Sequence, residues 1–383
     1  MVVPSQYKDM ALRQCVPVGL LCLAAWPLCA EEARELSEVT VSGTVLEDRL
    51  FDVEPVQNSV TAPTTAALLT RAPGANVNYN GPLTGIAQNR GMFGTRINTK
   101  VDGIYISPGG PNWMDAPLSY AARPRLDSLE LFRGIAPVRA GNETIGGAVL
   151  ATTTKSRFSR TDSFQFSGNA NLGGQTADNG FSMGTLLAGS NDSHRFHLSG
   201  SWEKGNDTKF PGGTITPTQY NRYTYGVGYG FRAGQNDAGV DYMRNQTTNT
   251  GTPALPIDIA YVYSNLFSGE YHGAWSDNPI DGRLYYTRVD HKMTNYQLRT
   301  PPSDPQFWRY ALTDSKAGGY DFTTSFDLGG GELSLGVDGH LAEHDADVLN
   351  PNNPLFYVVN FNDVERDVFG FFGEWQTDFT EQW

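Results

Sequence analysis

Residues 223–231 read YTYGVGYGF, and this stretch alternates aromatic or branched apolar side chains with small or polar ones. Side chains two positions apart in an extended chain share a face, so such a strand has one apolar face and one small, polar face. The pattern recurs at 164–172, 195–202 and 332–340, with turns rich in Asn, Asp and Gly between repeats. Alternation of this length is typical of strands that cross a membrane in a β-barrel.

The alternating segments predict about ten antiparallel strands in the second half of the chain. We place them near residues 162–174, 180–190, 194–204, 220–233, 237–248, 261–275, 281–296, 319–328, 331–346 and 366–380. A soluble β-sandwich is the alternative. Aromatic residues at strand ends, long polar loops alternating with tight turns, and the export signal described next favour the barrel.

An export signal begins the chain. Lys8 and Arg13 precede the apolar run 15–26, and residues 28–30 end in a small residue before two glutamates. This pattern predicts a signal peptide over 1–30, cleaved after Ala30, with translation starting at Met1 or Met10. The apolar run is shorter than the roughly 20 residues that span a bilayer, which argues against a helical anchor.

Cysteine usage and charge exclude several classes of protein. All three cysteines lie inside the signal peptide, so the mature chain is predicted to have no disulfide. Its formal charge changes from −13 to −14 because the peptide carries Lys8, Asp9 and Arg13, a net +1. A nucleic-acid partner is therefore not expected. No nucleophile and base pairing, paired carboxylates or phosphate loop stands at an interpretable spacing, so we predict no enzyme.

Before about residue 155 the composition differs, with turns rich in Gly, Pro and Asn, short β-branched runs and one possible helix near 64–70. Short motifs here resemble, in order, those of the plug of TonB-dependent outer-membrane receptors. LSEVTVS at 36–42 resembles the TonB box, and LLTRAPGA at 68–75 resembles LLxxxPGV. NRG at 89–91, VDG at 101–103, LELFRG at 129–134 and IGGAVL at 145–150 follow, while residues 139–144 depart from the family's YGxxA.

The resemblance implies a mixed α/β plug domain inside a transmembrane antiparallel β-barrel. Residues 1–30 are the signal peptide, 31–50 the TonB-box segment and linker, 51–157 the plug, and 158–383 a partial barrel. Barrels of this family have about 22 strands, so we interpret the chain, with about ten, as truncated within the barrel.

The implied function is gated uptake across the outer membrane of a Gram-negative cell, after export through the periplasm. A TonB-type energy-transducing protein adds the TonB box as a strand to its own sheet, and outer-membrane lipid surrounds the barrel. The residues carried over for the TonB box are Leu36, Ser37, Glu38, Val39, Thr40, Val41 and Ser42. Those carried over for the plug motifs are Arg90, Gly91, Asp102, Gly103, Glu130, Arg133 and Gly134.

Physical reasons support several plug residues. Gly91 and Gly103 fit turns that need positive φ, and Gly146-Gly147 permits close approach of the backbone. Buried charges need partners, so Arg90, Glu130 and Arg133 are expected to pair with charges that face the lumen.

A candidate metal site lies in VDHKMTNYQLRT at 289–300, where His291 and Met293 share one face of an extended chain. A copper-receptor subgroup of the same family, which this chain resembles, uses Cys-x-x-x-Met in the plug and His-x-Met in the barrel. Here Met114 stands at the plug methionine and Gly110 at the cysteine. The resemblance implies a Met114, His291 and Met293 site for copper as the transported ion, with no intrinsic cofactor. Imidazole and thioether donors suit Cu(I), and loss of the thiolate predicts lower affinity.

Simpler interpretations stand beside these residues. A loop methionine such as Met114 is often only filler. His291 shares parity with Val289, so in a straight strand it would face lipid while Arg288 and Asp290 face the lumen.

A second cluster, His340 with Glu343 and His344, resembles a ligand set. On a strand the two histidines share a face and the glutamate points away. We interpret it as a polar strand end that leads into an extracellular loop.

Two other functions remain open. One is a TonB-dependent receptor for a metal chelate such as a siderophore or cobalamin, with Gly110 marking the loss of copper binding. The other is a passive porin or surface adhesin, which would lack a TonB box.

Overall fold

The computed structural model describes residues 50–53, 64–110, 113–133, 136–141 and 145–377. Within them the first eight strands are β1 (Leu50–Val53), β2 (Ala75–Tyr79), β3 (Gly85–Asn89), β4 (Met92–Phe93), β5 (Asn98–Val101), β6 (Ile104–Tyr105), β7 (Leu126–Phe132) and β8 (Ala148–Thr153). The others are β9 (Gln165–Gln175), β10 (Gly180–Ser190), β11 (His194–Gly205), β12 (Thr208–Phe210), β13 (Gly213–Ile215), β14 (Tyr220–Ala233), β15 (Asn236–Thr250), β16 (Asp258–Trp275), β17 (Asn278–Thr294), β18 (Tyr310–Leu328), β19 (Gly331–Asn350) and β20 (Asn353–Gln376). The 3₁₀-helices are Ala66–Arg71, Gly94–Arg96, Pro117–Tyr120, Arg123–Arg125, Val138–Ala140 and Pro305–Phe307.

The second half of the chain forms a ten-stranded antiparallel sheet, as the alternation predicts. Its order runs β9, β10, β11, β14 and then consecutively to β20, with β9 and β20 at its two edges. The small hairpin of β12 and β13 lies between β11 and β14. Two strands start earlier than expected, β18 at Tyr310 and β20 at Asn353. Their hydrogen-bonded ladders extend into 310–318, which is rich in polar residues, and into 353–361, where apolar residues follow one another without alternating.

The lengths of the connecting loops indicate which end of the sheet is periplasmic and which is extracellular. At one end the turns are short, at 191–193, 234–235, 276–277 and 329–330. At the other end lie the longer connections 206–219, 251–257 and 295–309, together with shorter ones at 176–179 and 351–352. Barrels of the outer membrane have short periplasmic turns and longer extracellular loops. We therefore assign the longer loops to the extracellular side.

One face of the sheet is apolar and exposed. Side chains on it include Val227, Tyr229, Val240, Phe267, Leu284 and Tyr286. An exposed apolar band on a barrel wall is the surface that contacts lipid. In the part of the chain that the structure describes, no helix is both long enough and apolar enough to cross a membrane.

Replacing Leu284 with arginine is expected to destabilise the membrane-inserted fold by about 2–4 kcal/mol, because this side chain lies near the middle of the apolar band. Leu328→Arg, beside the short turn at 329–330, is the matched control and should cost no more than about 1 kcal/mol. Urea titration of folding into phospholipid vesicles measures both. Equal effects of the two substitutions would contradict the assignment of this face to lipid.

The N-terminal part forms two smaller sheets. One has the order β1-β7-β8-β5-β6, with β5 and β8 parallel, and the other has the order β2-β3-β4. The expected helix near 64–70 is present as the 3₁₀-helix Ala66–Arg71, whose Leu68 and Leu69 are fully buried. The helices of the predicted mixed α/β plug are thus 3₁₀-helices in the residues that the structure describes. Pro73 lies two residues after Arg71 and disfavours a helical conformation at Ala72.

The plug packs against the inner face of the ten-stranded sheet. Leu129 and Val149 of the plug share one apolar cluster with Leu266 and Val289 of the sheet. Gly147, at φ 98°, has no room for a Cβ because the carbonyl oxygen of Phe132 occupies that position. The predicted close approach of the backbone is confirmed at this residue.

Charged groups at the inner face are paired. Lys155 lies 3.0 Å from Asp241, and Arg195 lies 2.9 Å from Glu270. Arg90, by contrast, is exposed and forms no ion pair with any residue in the described ranges, so its expected lumenal pairing is not seen. It lies in a turn at φ 49°, at the surface of the plug.

Candidate metal centre

The inner face of β17 carries the barrel part of the centre. Val289, His291 and Met293 are 0, 2 and 1 % exposed, because this face packs against the plug. Arg288 and Asp290 lie on the outer face, where they contact each other at 3.3 Å. The interpretation that His291 faces lipid and these charges face the lumen is therefore wrong. Both candidate ligands lie in the last four residues of β17, on the extracellular side.

The loop that follows β6 carries the plug part of the centre and is attached to the barrel. The hydroxyl of Ser315 donates to the carbonyl of Ser107 at 2.8 Å. The Ser107 hydroxyl lies 2.8 Å from Nε2 of His344, and Tyr105 stacks on His340 at 3.9 Å. These contacts fix the loop against β18 and β19.

The two histidines of β19 share a face, as expected, but that face contacts the plug. They do not mark a strand end, because β19 continues to Asn350. Glu343 lies on the other face, 3.1 Å from Lys316. The predicted strand end leading into a loop is therefore wrong, since polarity here reflects contact with the plug.

Met114 is buried next to the barrel ligands. It is 5 % exposed and belongs to the same apolar cluster as Val289 and Met293. Trp113, at φ 53°, donates its N–H to the Gly110 carbonyl at 3.1 Å and so closes a turn before Met114. A methionine in this position packs as filler would, and also places a thioether close to His291.

Gly110 borders the same small space. A Cβ built on it would lie 2.9 Å from Cε of Met114 and 3.4 Å from Nδ1 of His291. It would also lie 3.4 Å from Oδ1 of Asp115. A side chain at position 110 would therefore enter the space between the plug methionine and the barrel histidine.

Asp115 is a buried carboxylate that the sequence did not single out. It accepts hydrogen bonds from the N–H groups of Gly109 at 2.6 Å and Gly110 at 3.0 Å, and from the Tyr120 hydroxyl at 2.5 Å. Burial acts to raise the pKa of Asp115, but neighbouring His291, Tyr120 and Gly109 outweigh it, and the pKa lies below its ordinary value. The available signal was its place directly after Met114, between apolar residues.

The imidazole of His291 has no hydrogen bond at either nitrogen within the described structure. Nδ1 lies 3.5 Å from Oδ1 of Asp115, a contact longer than an ordinary hydrogen bond. Buried polar atoms without partners are uncommon and costly. Across the residues that are described, no group of three or more His, Cys, Asp or Glu side chains converges, so any centre here depends on methionine sulfur as well.

An apolar loop, called the roof below, packs over the buried cluster that contains Met114. Leu255 and Ile257, in the loop between β15 and β16, pack against the cluster that contains Met114. Arg299 holds this loop, with 2.7 Å bonds to both carboxylate oxygens of Asp258 and a 2.8 Å bond to the Leu255 carbonyl. Between the roof and strands β18 and β19 is a cavity of about 120 Å³ that Met114 also lines.

The remaining residues predicted from the plug motifs and the TonB box are located as follows. Gly91 and Gly103 adopt the predicted positive φ, 80° and 75°. Asp102 accepts bonds of 2.7 Å from both the N–H and the hydroxyl of Thr153. Glu130 lies in β7, and Arg133 is half-buried directly after it. Gly134, the TonB-box residues 36–42 and the signal peptide 1–30 lie outside the described residues.

Solved structures share this fold. The copper transporter OprC matches with a TM-score of 0.75 at 22 % identity, over 85 % of this chain and 52 % of that one. The pyoverdine outer membrane receptor FpvA from Pseudomonas aeruginosa PAO1 matches with 0.65 at 11 % identity, over 87 % and 54 %. The siderophore receptor PirA from Acinetobacter baumannii matches with 0.56 at 13 % identity, over 78 % and 48 %. The chain thus spans about half the length of each.

No model of a known protein family matches the chain, and no curated protein matches it. At such low identities the structural likeness establishes the fold. The similar structures are transporters and receptors.

Proposed function

We propose that this chain, which has the fold of TonB-dependent outer-membrane receptors, binds copper through Met114, His291 and Met293 and serves its energised import. The observation that carries this proposal is that Met114 and His291 both border Gly110, that Met293 belongs to the same buried cluster as Met114, and that neither imidazole nitrogen of His291 forms a hydrogen bond within the described residues. The fold is one of the outer membrane, in agreement with the location expected from the sequence.

Donor chemistry favours copper. Thioether and imidazole groups are soft to intermediate donors, and this combination suits Cu(I). A bound ion would also give the buried imidazole a direct bond, in addition to its 3.5 Å contact with Asp115, and so offset the cost of burying it. Copper is the substrate in this proposal, and no resident cofactor is invoked.

The cavity that Met114 lines, without His291 or Met293, is small for a large chelate. Sites for ligands of that size usually occupy about 300–1,000 Å³. The cavity beside Met114 measures about 120 Å³, and Arg299 clamps its roof. A siderophore or cobalamin is therefore the less favoured cargo, although solved siderophore receptors share the fold.

The domain division is part of this proposal. The last plug strand ends at Thr153 and the first wall strand begins at Gln165, on either side of the proposed boundary at 157/158. A TonB-type protein would pair with residues 36–42 and pull on the plug. The loop that carries Met114 would then move away from β17 and release the ion.

Metal analysis tests the copper assignment. The chain, purified in detergent, is exposed separately to Cu(I), Cu(II), a ferric siderophore and cobalamin, and retained copper, iron and cobalt are counted after desalting. We expect about one copper per chain and neither of the other metals. Retention of iron or cobalt without copper would favour the chelate receptor instead.

Deleting residues 36–42 is expected to abolish energised copper uptake and leave copper binding unchanged, because the box acts on the partner and not on the ligands. Uptake of radioactive copper by cells, with and without an uncoupler, measures this effect. Thr40→Ser, which preserves an extended segment, is the control and should retain uptake. Uncoupler-resistant uptake by the deletion variant would instead indicate a passive pore.

A further inference from the structure

We propose that Asp115 is a ligand of the copper centre and provides the negative charge that a cysteine thiolate at position 110 would otherwise provide. The centre would then comprise Met114, Asp115, His291 and Met293. This inference rests on the copper-binding function proposed above and adds a ligand to it.

The separation of the two nearest donors fits a shared cation. Oδ1 of Asp115 and Nδ1 of His291 are 3.5 Å apart, with no hydrogen bond between them. Nitrogen and oxygen donors bound to one tetrahedral ion at about 2.0–2.2 Å are about 3.4 Å apart. A hydrogen bond between such groups would bring them to about 2.7–3.2 Å. The observed distance therefore matches two ligands of one ion better than a directly bonded pair.

Gly110 lies beside these donors. The point that a Cβ of residue 110 would occupy is 3.4 Å from both of these donor atoms and 2.9 Å from Cε of Met114. A carboxylate oxygen, an imidazole nitrogen and a thioether side chain are therefore all neighbours of Gly110. With glycine at position 110 there is no thiolate, and the buried carboxylate of Asp115 is an anionic group beside His291.

The carboxylate is held in place for this role. Gly109, Gly110 and Tyr120 donate hydrogen bonds that fix both oxygens. A carboxylate has about four lone-pair sites, so Oδ1, with one bond from Gly110, retains capacity for a further partner. Its ion pair in the described structure is with His291, whose Nδ1 is the other donor. A buried anion of this kind is stabilised by a bound cation.

A carboxylate ligand changes which oxidation states of copper the centre is expected to bind. Thiolate and thioether donors select Cu(I), whereas oxygen and nitrogen donors also bind Cu(II). A centre with one carboxylate, one imidazole and two thioethers is expected to hold both oxidation states. The sequence resemblance alone implied a centre suited to Cu(I).

Asp115→Asn tests the ligand role, with Asp290→Asn as the matched control. Asp290 neighbours His291 in sequence but lies on the outer face of β17, partly exposed. We expect Asp115→Asn to weaken Cu(II) binding roughly 10- to 100-fold and Cu(I) binding by less, and Asp290→Asn to change neither. Chelator competition in detergent measures both ions, and electron paramagnetic resonance of bound Cu(II) should change only in Asp115→Asn.

A second variant separates a ligand from a structural support, because asparagine also alters the bonds to Gly109 and Gly110. In Gly110→Cys/Asp115→Asn the thiolate restores the lost charge at the same ion, so Cu(I) affinity should recover to at least the unsubstituted level. If Asp115 only supports the loop, Asp115→Asn should weaken binding of both ions equally, and Gly110→Cys should raise Cu(I) affinity by the same factor with aspartate or asparagine at position 115. That result would overturn the ligand role.

The two proposals fail in distinguishable ways. If the unsubstituted chain retains copper and Asp115→Asn binds Cu(II) equally well, only the role of Asp115 is overturned. If the unsubstituted chain retains no copper in either oxidation state, both proposals are overturned.

Discussion

Replacing His291 with alanine is expected to lower the affinity for copper by at least about 100-fold, equivalent to about 2.7 kcal/mol. The imidazole is the donor nearest the space at Gly110 on the barrel side, and it is 2 % exposed, so water cannot easily replace it. Removing partners that only orient a ligand usually costs 10- to 100-fold, and loss of the ligand itself should cost more. Competition with a Cu(I) chelator, on protein in detergent, measures the change.

Met243→Ala is the matched control for loss of a buried side chain at the interface of plug and barrel. Met243 is 9 % exposed and contacts Arg125 through its sulfur at 3.5 Å, away from the proposed ligands. Its truncation should destabilise the fold by about 2–5 kcal/mol but leave copper affinity within about twofold. Met114→Ala and Met293→Ala should each weaken copper by about tenfold or more. Equal copper affinity in His291→Ala and the unsubstituted chain would contradict the site.

Replacing Gly110 with cysteine is expected to tighten Cu(I) binding by about 10- to 100-fold. The added Cβ would enter the space bordered by Met114 and His291, and a thiolate is the softest and most strongly donating ligand that a protein offers this ion. The change requires the Met114 methyl group to move by a few tenths of an ångström from its 2.9 Å approach, which a flexible thioether can do. Chelator competition for Cu(I) measures the gain.

Gly110→Ala separates the thiolate from the steric effect of the Cβ. Alanine crowds Met114 equally but adds no donor, so copper affinity should stay the same or fall by a few fold. If cysteine and alanine variants bind Cu(I) with equal affinity, position 110 does not face the ion. Comparing the two thus tests the placement of the centre without removing any proposed ligand.

Much of the architecture could be predicted from the sequence. The ten strands of the wall, the 3₁₀-helix near 64–70 and the turns at Gly91 and Gly103 depend on local patterns: alternation, a helix-ending proline and glycine where φ is positive. Each of these patterns acts within a few residues along the chain. Local pattern failed where strands continued past apolar alternation, as in β18 and β20.

The candidate centre was less accessible to sequence reasoning. Because side chains alternate along a strand, the sequence shows that His291 and Met293 share a face. It does not show whether that face contacts lipid or the plug. Contact with the plug decided this, and it reversed the assignment suggested by Arg288 and Asp290. Asp115 gave no signal as a ligand because His291, the other donor of the proposed pair, is far away in the sequence.

The sequence by itself determined the strands, their alternating faces and the residue types available for a metal. Only the tertiary structure decided which face is buried, that Met114 and His291 border one space, and that a carboxylate lies there too. The physical reason is the range of the interactions along the chain. Backbone preference and side-chain alternation depend on near neighbours in the sequence, whereas burial and shared cavities arise when distant segments pack together.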